Sequence, residues 1–346
     1  MKVFWEGLGG LDIIQRLMSE GNSVRWYNRG TRLGEGFVPI VNEFTPDMDE
    51  VVVINSPRSG KLVEDMRKKG YKVLGSSVFL DAMVANEEYT QQVMRTCDVL
   101  DTPVQVEGWF NGEEWVHHSF STTVADTHLF AGDIGPDVGT MGSTSFFYRH
   151  ARPRLVKDVL LKLTPVLKRV GHVGPVGVKN CQITPVNMHL GLLDQEVGRT
   201  LGDLVKGQAR SWKVSFDFSV GVLLTIPPFP FGTLDSEEVV HIEDLPHFQM
   251  AAMRQDEDGK LVAVGTMLGM MTAQAPNIHE ARNLVYSRIG KLHIPALQYR
   301  NDIGLVASKL IPQILREVAD GNKDSNSNDV GERSSPVLVD GATERG

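Results

Sequence analysis

Four short stretches carry residue types that could do chemistry. The first, Gly7-Leu8-Gly9-Gly10-Leu11-Asp12, is a glycine-rich turn between a candidate strand and a candidate helix. Such a turn can offer backbone N–H groups to a phosphate at a helix start. It falls short of the Gly-x-Gly-x-x-Gly fingerprint because position 12 is Asp, whose carboxylate would repel a phosphate, and the turn reads equally well as plain packing. The second, Arg58-Ser59-Gly60-Lys61, resembles the end of a Walker loop, but Asn55 stands where that loop requires its first Gly. The third is the pair His117 and His118, adjacent in a predicted strand. Neighbouring strand residues point to opposite faces, so the two do not chelate one metal. His241 and His247 lack zinc spacing as well.

The fourth stretch, GDIGPDVGTMGS from Gly132 to Ser143, is the most unusual in composition, with glycines at 132, 135, 139 and 142 around Pro136. Read alone it is a tight loop that lets backbone approach a small ligand, or else an ordinary long turn.

The elements that must position these stretches follow from periodicity. Lys2 to Trp5, Val24 to Tyr27, Val51 to Asn55 and the YKVLG run read as strands, and LDIIQRLMSEG and KLVEDMRKKG read as amphipathic helices closed by glycine. That alternation predicts a parallel sheet with helices on its faces. Residues 78–96 are helical in pattern, and VQVEGWFNGEEWVHHSFS reads as a hairpin about Asn111-Gly112. Arg154 to Val170 reads as one long amphipathic helix kinked at Pro165. After Gly207 strands such as VGVLLTI and KLVAVGTM surround the helix HEARNLVYSRIGKL, and the last residues are polar enough to predict a disordered tail.

The chain of 346 residues, 41% apolar and 23% charged, is long enough for two or three domains with a sizeable core. A net charge of -8 argues against a nucleic-acid backbone or an anionic membrane as the main partner. Only Cys97 and Cys181 are present, which excludes a disulfide framework and suits a reducing compartment. No stretch reads as a signal peptide or a membrane span, so the expected location is cytoplasmic.

Taken in order, several motifs resemble phosphoribosylamine–glycine ligase, also called glycinamide ribonucleotide synthetase. MKVFWEGLGG looks like that family's first strand and glycine turn, and KGYKVLGSS like the strand ending its N-terminal domain. VEGWFNGEEW looks like its hinge strand and following hairpin. GDIGPDVGTMGS is similar to its GDTGPNTGGMGA loop, KLTPVLKRVG to the next helix, and VGVLLTIPPFP, HEARNLVYSRIG and YRNDIG to its C-terminal domain. The resemblance implies an α/β ATP-grasp fold in three pieces. These are a Rossmann-like N-terminal domain over 1–77, a truncated ATP-grasp body over 78–206 and a small α+β C-terminal domain over 207–320, followed by a tail over 321–346.

The implied activity is ATP-dependent, magnesium-assisted carbon–nitrogen ligation of glycine to phosphoribosylamine in purine synthesis. By the same resemblance, Asp133, Gly135, Pro136, Gly139, Met141, Gly142, Arg300 and Asp302 are substrate contacts. Gly7, Gly9, Gly10, Glu107 and Glu114 are nucleotide contacts, and Asn187 is a metal ligand. The sequence departs from the family in one major respect: the lid subdomain that clamps ATP is replaced by Val104, Gln105 and Val106. Glu87 stands where the family has Lys, and Pro185 where it has a magnesium-binding Glu. Leu11 and Asp12 stand where it has Arg and Glu. These departures argue against normal use of ATP and magnesium. They point to a ligase impaired alone, with a non-catalytic binding or assembly protein for a phosphorylated sugar or nucleotide as the alternative, or an enzyme acting on another amine-bearing nucleotide. A homo-oligomer, or a pairing with an active ligase, is the expected assembly.

Overall fold

A computed structural model describes residues 1–148, 154–184, 194–215, 217–242 and 247–320. Its N-terminal part is a parallel sheet of β1 (Lys2–Glu6), β2 (Ser23–Tyr27), β3 (Val51–Ile54) and β4 (Lys72–Leu74), in the order β2-β1-β3-β4. Helix α1 (Leu11–Ser19) links β1 to β2, and α2 (Gly60–Lys68) links β3 to β4. Every residue of β3 is buried, as an apolar run between two helical layers requires. Helix α1 buries Leu11, Ile13, Ile14 and Leu17 on one stripe.

The region expected as one helical stretch over 78–96 forms two helices, α3 (Val78–Ala85) and α4 (Glu87–Thr96). Asn86 divides them because it is extended and its Oδ1 accepts from Tyr89 N at 3.0 Å, capping α4. A short link then enters β5 (Gln105–Asn111), followed by β6 (Ser121–Phe130) and β7 (Ile134–Phe147). The turn expected at Asn111-Gly112 is present: Asn111 N donates to Glu114 O at 3.0 Å, and the Asn111 side chain accepts from Glu113 N and Glu114 N. His117 and His118 lie in the irregular run after it rather than in a strand.

The single helix expected over 154–170 is interrupted. Helix α5 (Arg154–Val159) gives way to a 3-10 turn (Leu161–Leu163), and α6 (Thr164–Arg169) starts afresh. Pro165 sits in the first turn of α6, where its missing N–H has no intrahelical partner to lose, so it begins a helix instead of kinking one.

The remaining elements are β8 (Val173–Lys179), β9 (Gln182–Thr184), α7 (Val197–Val205), β10 (Phe218–Thr225), β11 (Glu238–Val240), β12 (Phe248–Met250), β13 (Met253–Gln255), β14 (Leu261–Ala263), β15 (Met267–Ala275), α8 (Ile278–Ile289) and α9 (Leu305–Asp320). Eight strands form one antiparallel sheet, in the order β12-β15-β10-β7-β6-β5-β8-β9. The boundary expected at 206/207 falls between α7 and β10, and this sheet pairs strands from both sides of it. A small sheet, β11-β14-β13, stands apart. Helix α8 packs on β10 and β15, while α7 lies against β3, β4, β5 and β8 and against α1, joining the parallel sheet to the large one. Among the described residues no helix is long and apolar enough to cross a membrane. The expected tail over 321–346 lies outside the described residues.

Candidate functional site

The glycine turn after β1 is held by two indoles. Trp26 Nε1 donates to Gly7 O at 2.7 Å and Trp5 Nε1 donates to Gly9 O at 2.8 Å. Gly10, the N-cap of α1, has φ 94°, and a Cβ there would lie 2.3 Å from Trp5 Cζ2. Packing alone therefore demands glycine at position 10. The same turn also forms one wall of a cleft of about 350 Å³, with Gly9, Gly10, Asp12 and Asn55 facing it.

The opposite wall is a sheet face rich in hydroxyls. Ser145 pairs with Ser219, Ser143 with Gly221 and Gly221 with Thr272, which places these residues on one side of β7, β10 and β15. Ser143, Ser145, Ser219 and Thr272 all line the cleft. From Ser145 a buried chain of polar groups runs into the sheet. Thr123 and Ser145 share a hydrogen bond at 2.9 Å, and Thr123 Oγ1 donates to Glu107 Oε2, also at 2.9 Å. Ser121 Oγ donates to the same oxygen at 3.1 Å, and the Gln105 amide donates to the other. Glu107 is 1% exposed. Because its Oε2 is an acceptor for two hydroxyls, Ser145 donates to Thr123, and the hydroxyl protons along this chain are oriented away from the cleft.

Asp12 lies partly buried at the start of α1 and lines the cleft. Burial pushes its carboxyl up to about 6. Among the described residues lining the cleft there is no Lys, Arg or His, and Asp12 is the only ionisable side chain.

The stretch expected as a loop over 132–143 is instead the far end of the β6–β7 hairpin. It turns at Gly132 and Asp133, both with positive φ, and β7 begins at Ile134. Gly135, Pro136 and Gly139 are exposed along it. Met141 is buried beside Leu129 and Leu223, and Gly142 lies so close to β10 that a Cβ would meet Gly221 O at 2.6 Å.

Asp133, Arg300 and Asp302 do come together. The Arg300 guanidinium donates to both Asp302 oxygens at 2.8 Å, to Asp133 Oδ1 at 2.9 Å and to His128 O at 3.1 Å, with Asp126 at 3.8 Å. Its side chain is 1% exposed. The Arg300 hydrogen bonds hold the Asp302 carboxyl below the usual range, while burial pushes Asp126 up to about 6 against the attraction of Arg300. The group is a buried staple between the hairpin end and the segment before α9. Glu114 is an exposed partner of Arg210, and Glu113 of Lys168, so neither joins Glu107. Asn187 lies outside the described residues.

Sequence reasoning missed Asn55, Ser145, Ser219, Thr272 and the Thr123 link. The alternation Ser143, Ser145 within β7 was the one local signal for them. A second recess, of about 610 Å³, opens beyond β3 and β4. Its walls are mainly apolar, with Trp109, Leu201 and Val176 among them, and Arg58 at the rim. His172 lines it, 1% exposed, and burial pushes its imidazole down to about 4.

No protein-family model matches the sequence. The phosphoribosylamine–glycine ligase of Xylella fastidiosa is 26% identical over 242 residues, 58% of this chain and 55% of that protein. The chain thus spans about half the length of that curated relative. Among solved structures, the phosphoribosylamine–glycine ligase of Thermotoga maritima superposes with a TM-score of 0.63 at 15% identity, covering 88% of this chain and 100% of that one. A complex of Campylobacter jejuni biotin carboxylase with β,γ-ATP superposes with a TM-score of 0.54 at 8% identity, covering 91% and 96%. The fold is α/β of the ATP-grasp type, and in sequence and fold the chain resembles phosphoribosylamine–glycine ligases.

Proposed function

We propose that this chain is a phosphoribosylamine–glycine ligase-like protein of the ATP-grasp type that does not, alone, carry ATP-dependent amide formation at the rate of a complete ligase. Its working site in this reading is the cleft between the glycine turn and the hydroxyl face. One observation carries the proposal: α4 ends at Thr96 and β5 begins at Gln105, already paired with β6 and β8. A link of that size leaves no length for a subdomain that would close over a triphosphate, since a single strand takes about five or six residues.

The charges agree. Phosphoryl transfer from a triphosphate needs cations or metal ions to offset developing negative charge. The cleft lining lacks cationic side chains among the described residues. The acidic residues nearest to a metal-like grouping, Asp126, Asp133 and Asp302, gather around Arg300, which holds the place a cation would take. Nor does any group of three or more His, Cys, Asp or Glu among the described residues suit a metal ion. ATP and magnesium therefore fit these residues poorly. The chain's own groups position a small molecule: Ser143, Ser145, Ser219 and Thr272 supply hydroxyls, and Glu107 orients that of Ser145 through Thr123.

Calorimetry on the full chain tests this, with ATP–magnesium, glycine and ribose 5-phosphate titrated in turn and ADP release followed separately. Absence of a saturable ATP–magnesium signal and of ADP release is the expected result. Tight ATP–magnesium binding by the isolated chain would defeat the proposal.

A further inference from the structure

We infer that the cleft between the glycine turn and the sheet takes a protonated, hydroxyl-bearing amine of about one sugar ring in size, and turns away the phosphorylated form of the same molecule. The inference rests on the reading that this cleft is the working site, and it names the ligand class for that site.

Three observations converge. A helix start preceded by glycines ordinarily offers its free N–H groups to an anion. Here Asp12 stands at the second position of that helix and lines the same cleft as the glycines. A phosphate brought to the turn would meet a like charge beside it. Secondly, the described lining residues include no cation to offset a phosphate, whereas Asp12 is a carboxylate with no cationic partner among the ion pairs of the described residues. Arg29, two residues beyond the end of β2, is committed to Glu6 at 2.7 Å and to Ser56 at 2.8 Å. An ammonium group would supply the missing partner.

Thirdly, the facing wall presents four hydroxyls at β-sheet spacing, together with Asn55 and Gln249. That array suits several hydroxyl groups on one rigid ring: Ser145 and Thr272 donate to Thr123 and to His247 O and so accept from a ligand, while Ser143 and Ser219 can donate or accept. At about 350 Å³ the cleft stands at the low end of the range of about 300–1,000 Å³ for small-molecule sites. Met250, Met270 and Leu223 supply the apolar remainder, against which the carbon face of such a ring can lie.

The test uses the full chain and three probes: glucosamine, N-acetylglucosamine and glucosamine 6-phosphate. Each is titrated by calorimetry, with ligand-observed NMR for weak binding. Glucosamine should bind, and the other two should bind at least about tenfold more weakly, because one lacks the ammonium charge and the other adds a phosphate. In Asp12→Asn the preference for glucosamine over its N-acetyl form should fall about tenfold, and the penalty on the phosphate should shrink. The probe series on the unaltered chain decides the matter even if the variant fails to fold. Tightest binding of the 6-phosphate, equal binding of all three, or binding of none overturns the amine assignment. The working-site reading fails separately: it falls if ATP–magnesium binds saturably and is displaced by these probes.

Discussion

Replacing Arg300 by Met should destabilise the protein strongly, and more at pH 8 than at pH 5.5. The Arg300 side chain is 1% exposed and bonds to Asp302, Asp133 and His128 O while facing Asp126. Methionine removes the charge and all of those donors at once. Asp133 is 53% exposed and Asp302 is 18% exposed, so both can recover water, but Asp126 is 4% exposed and would be left charged and buried. Removing one partner of a buried pair costs about 3–5 kcal/mol. With a melting shift of about 2–4 °C per kcal/mol for a domain of a few hundred residues, the expected drop is about 6–20 °C at pH 8. The pH dependence follows from Asp126, whose carboxyl is raised to about 6 from an ordinary 3.8. The folded state thus holds that proton more tightly than the unfolded chain does, so stability from this group rises as pH falls through 6. Without Arg300 the preference for the neutral acid strengthens, and at pH 5.5 protonation relieves much of the defect. Melting followed by circular dichroism at both pH values reads this out. A variant melting within about 2 °C of the parent at pH 8, or one hurt more at pH 5.5, would refute the account of Arg300 as a structural staple.

Asp12→Asn should stabilise the protein at pH 8 by up to about 3 kcal/mol, because a carboxyl raised from 3.8 to about 6 opposes folding once ionised in both states. That gain should be fully present above about pH 6 and vanish as pH approaches 4 in urea unfolding; destabilisation at pH 8 would contradict it. Gly10→Ala should cost about 1–3 kcal/mol or more, since the added Cβ would sit 2.3 Å from the Trp5 ring at φ 94°, and denaturant melts with unchanged midpoint would show that the turn can relax.

What could be read from the chain was mainly local. The parallel sheet was legible because β1, α1, β3, α2 and β4 each carry their own periodicity and glycine stop. The β6–β7 hairpin was not, because Gly135 and Gly139 look like loop residues, while pairing with a neighbouring strand is decided by hydrogen bonds that composition does not display. The two-part helix over 154–169 was missed for a related reason: Pro165 suits a first turn as well as a kink. In the site, the glycine turn was legible as a turn. The hydroxyl wall was not, since Thr123, Ser145, Ser219 and Thr272 are joined only by strand register across distant segments. Arg300 carried the opposite lesson: a cation that sequence reasoning assigned to a ligand has its donors filled by the chain's own carboxylates.

The pairing of β7 with β10, from Phe146–Phe218 to Gly142–Val222, bears on how the chain can be divided. A fragment ending near residue 206 would lose β10, β15 and β12 and expose the long flank of β7 as a row of open donors and acceptors. Such an edge recruits other chains. The complementary fragment would hold half of a hydroxyl wall with nothing opposite it. Excising either half to study it alone would therefore yield an aggregation-prone remnant, and any transplanted lid must be threaded between α4 and β5 of the intact polypeptide.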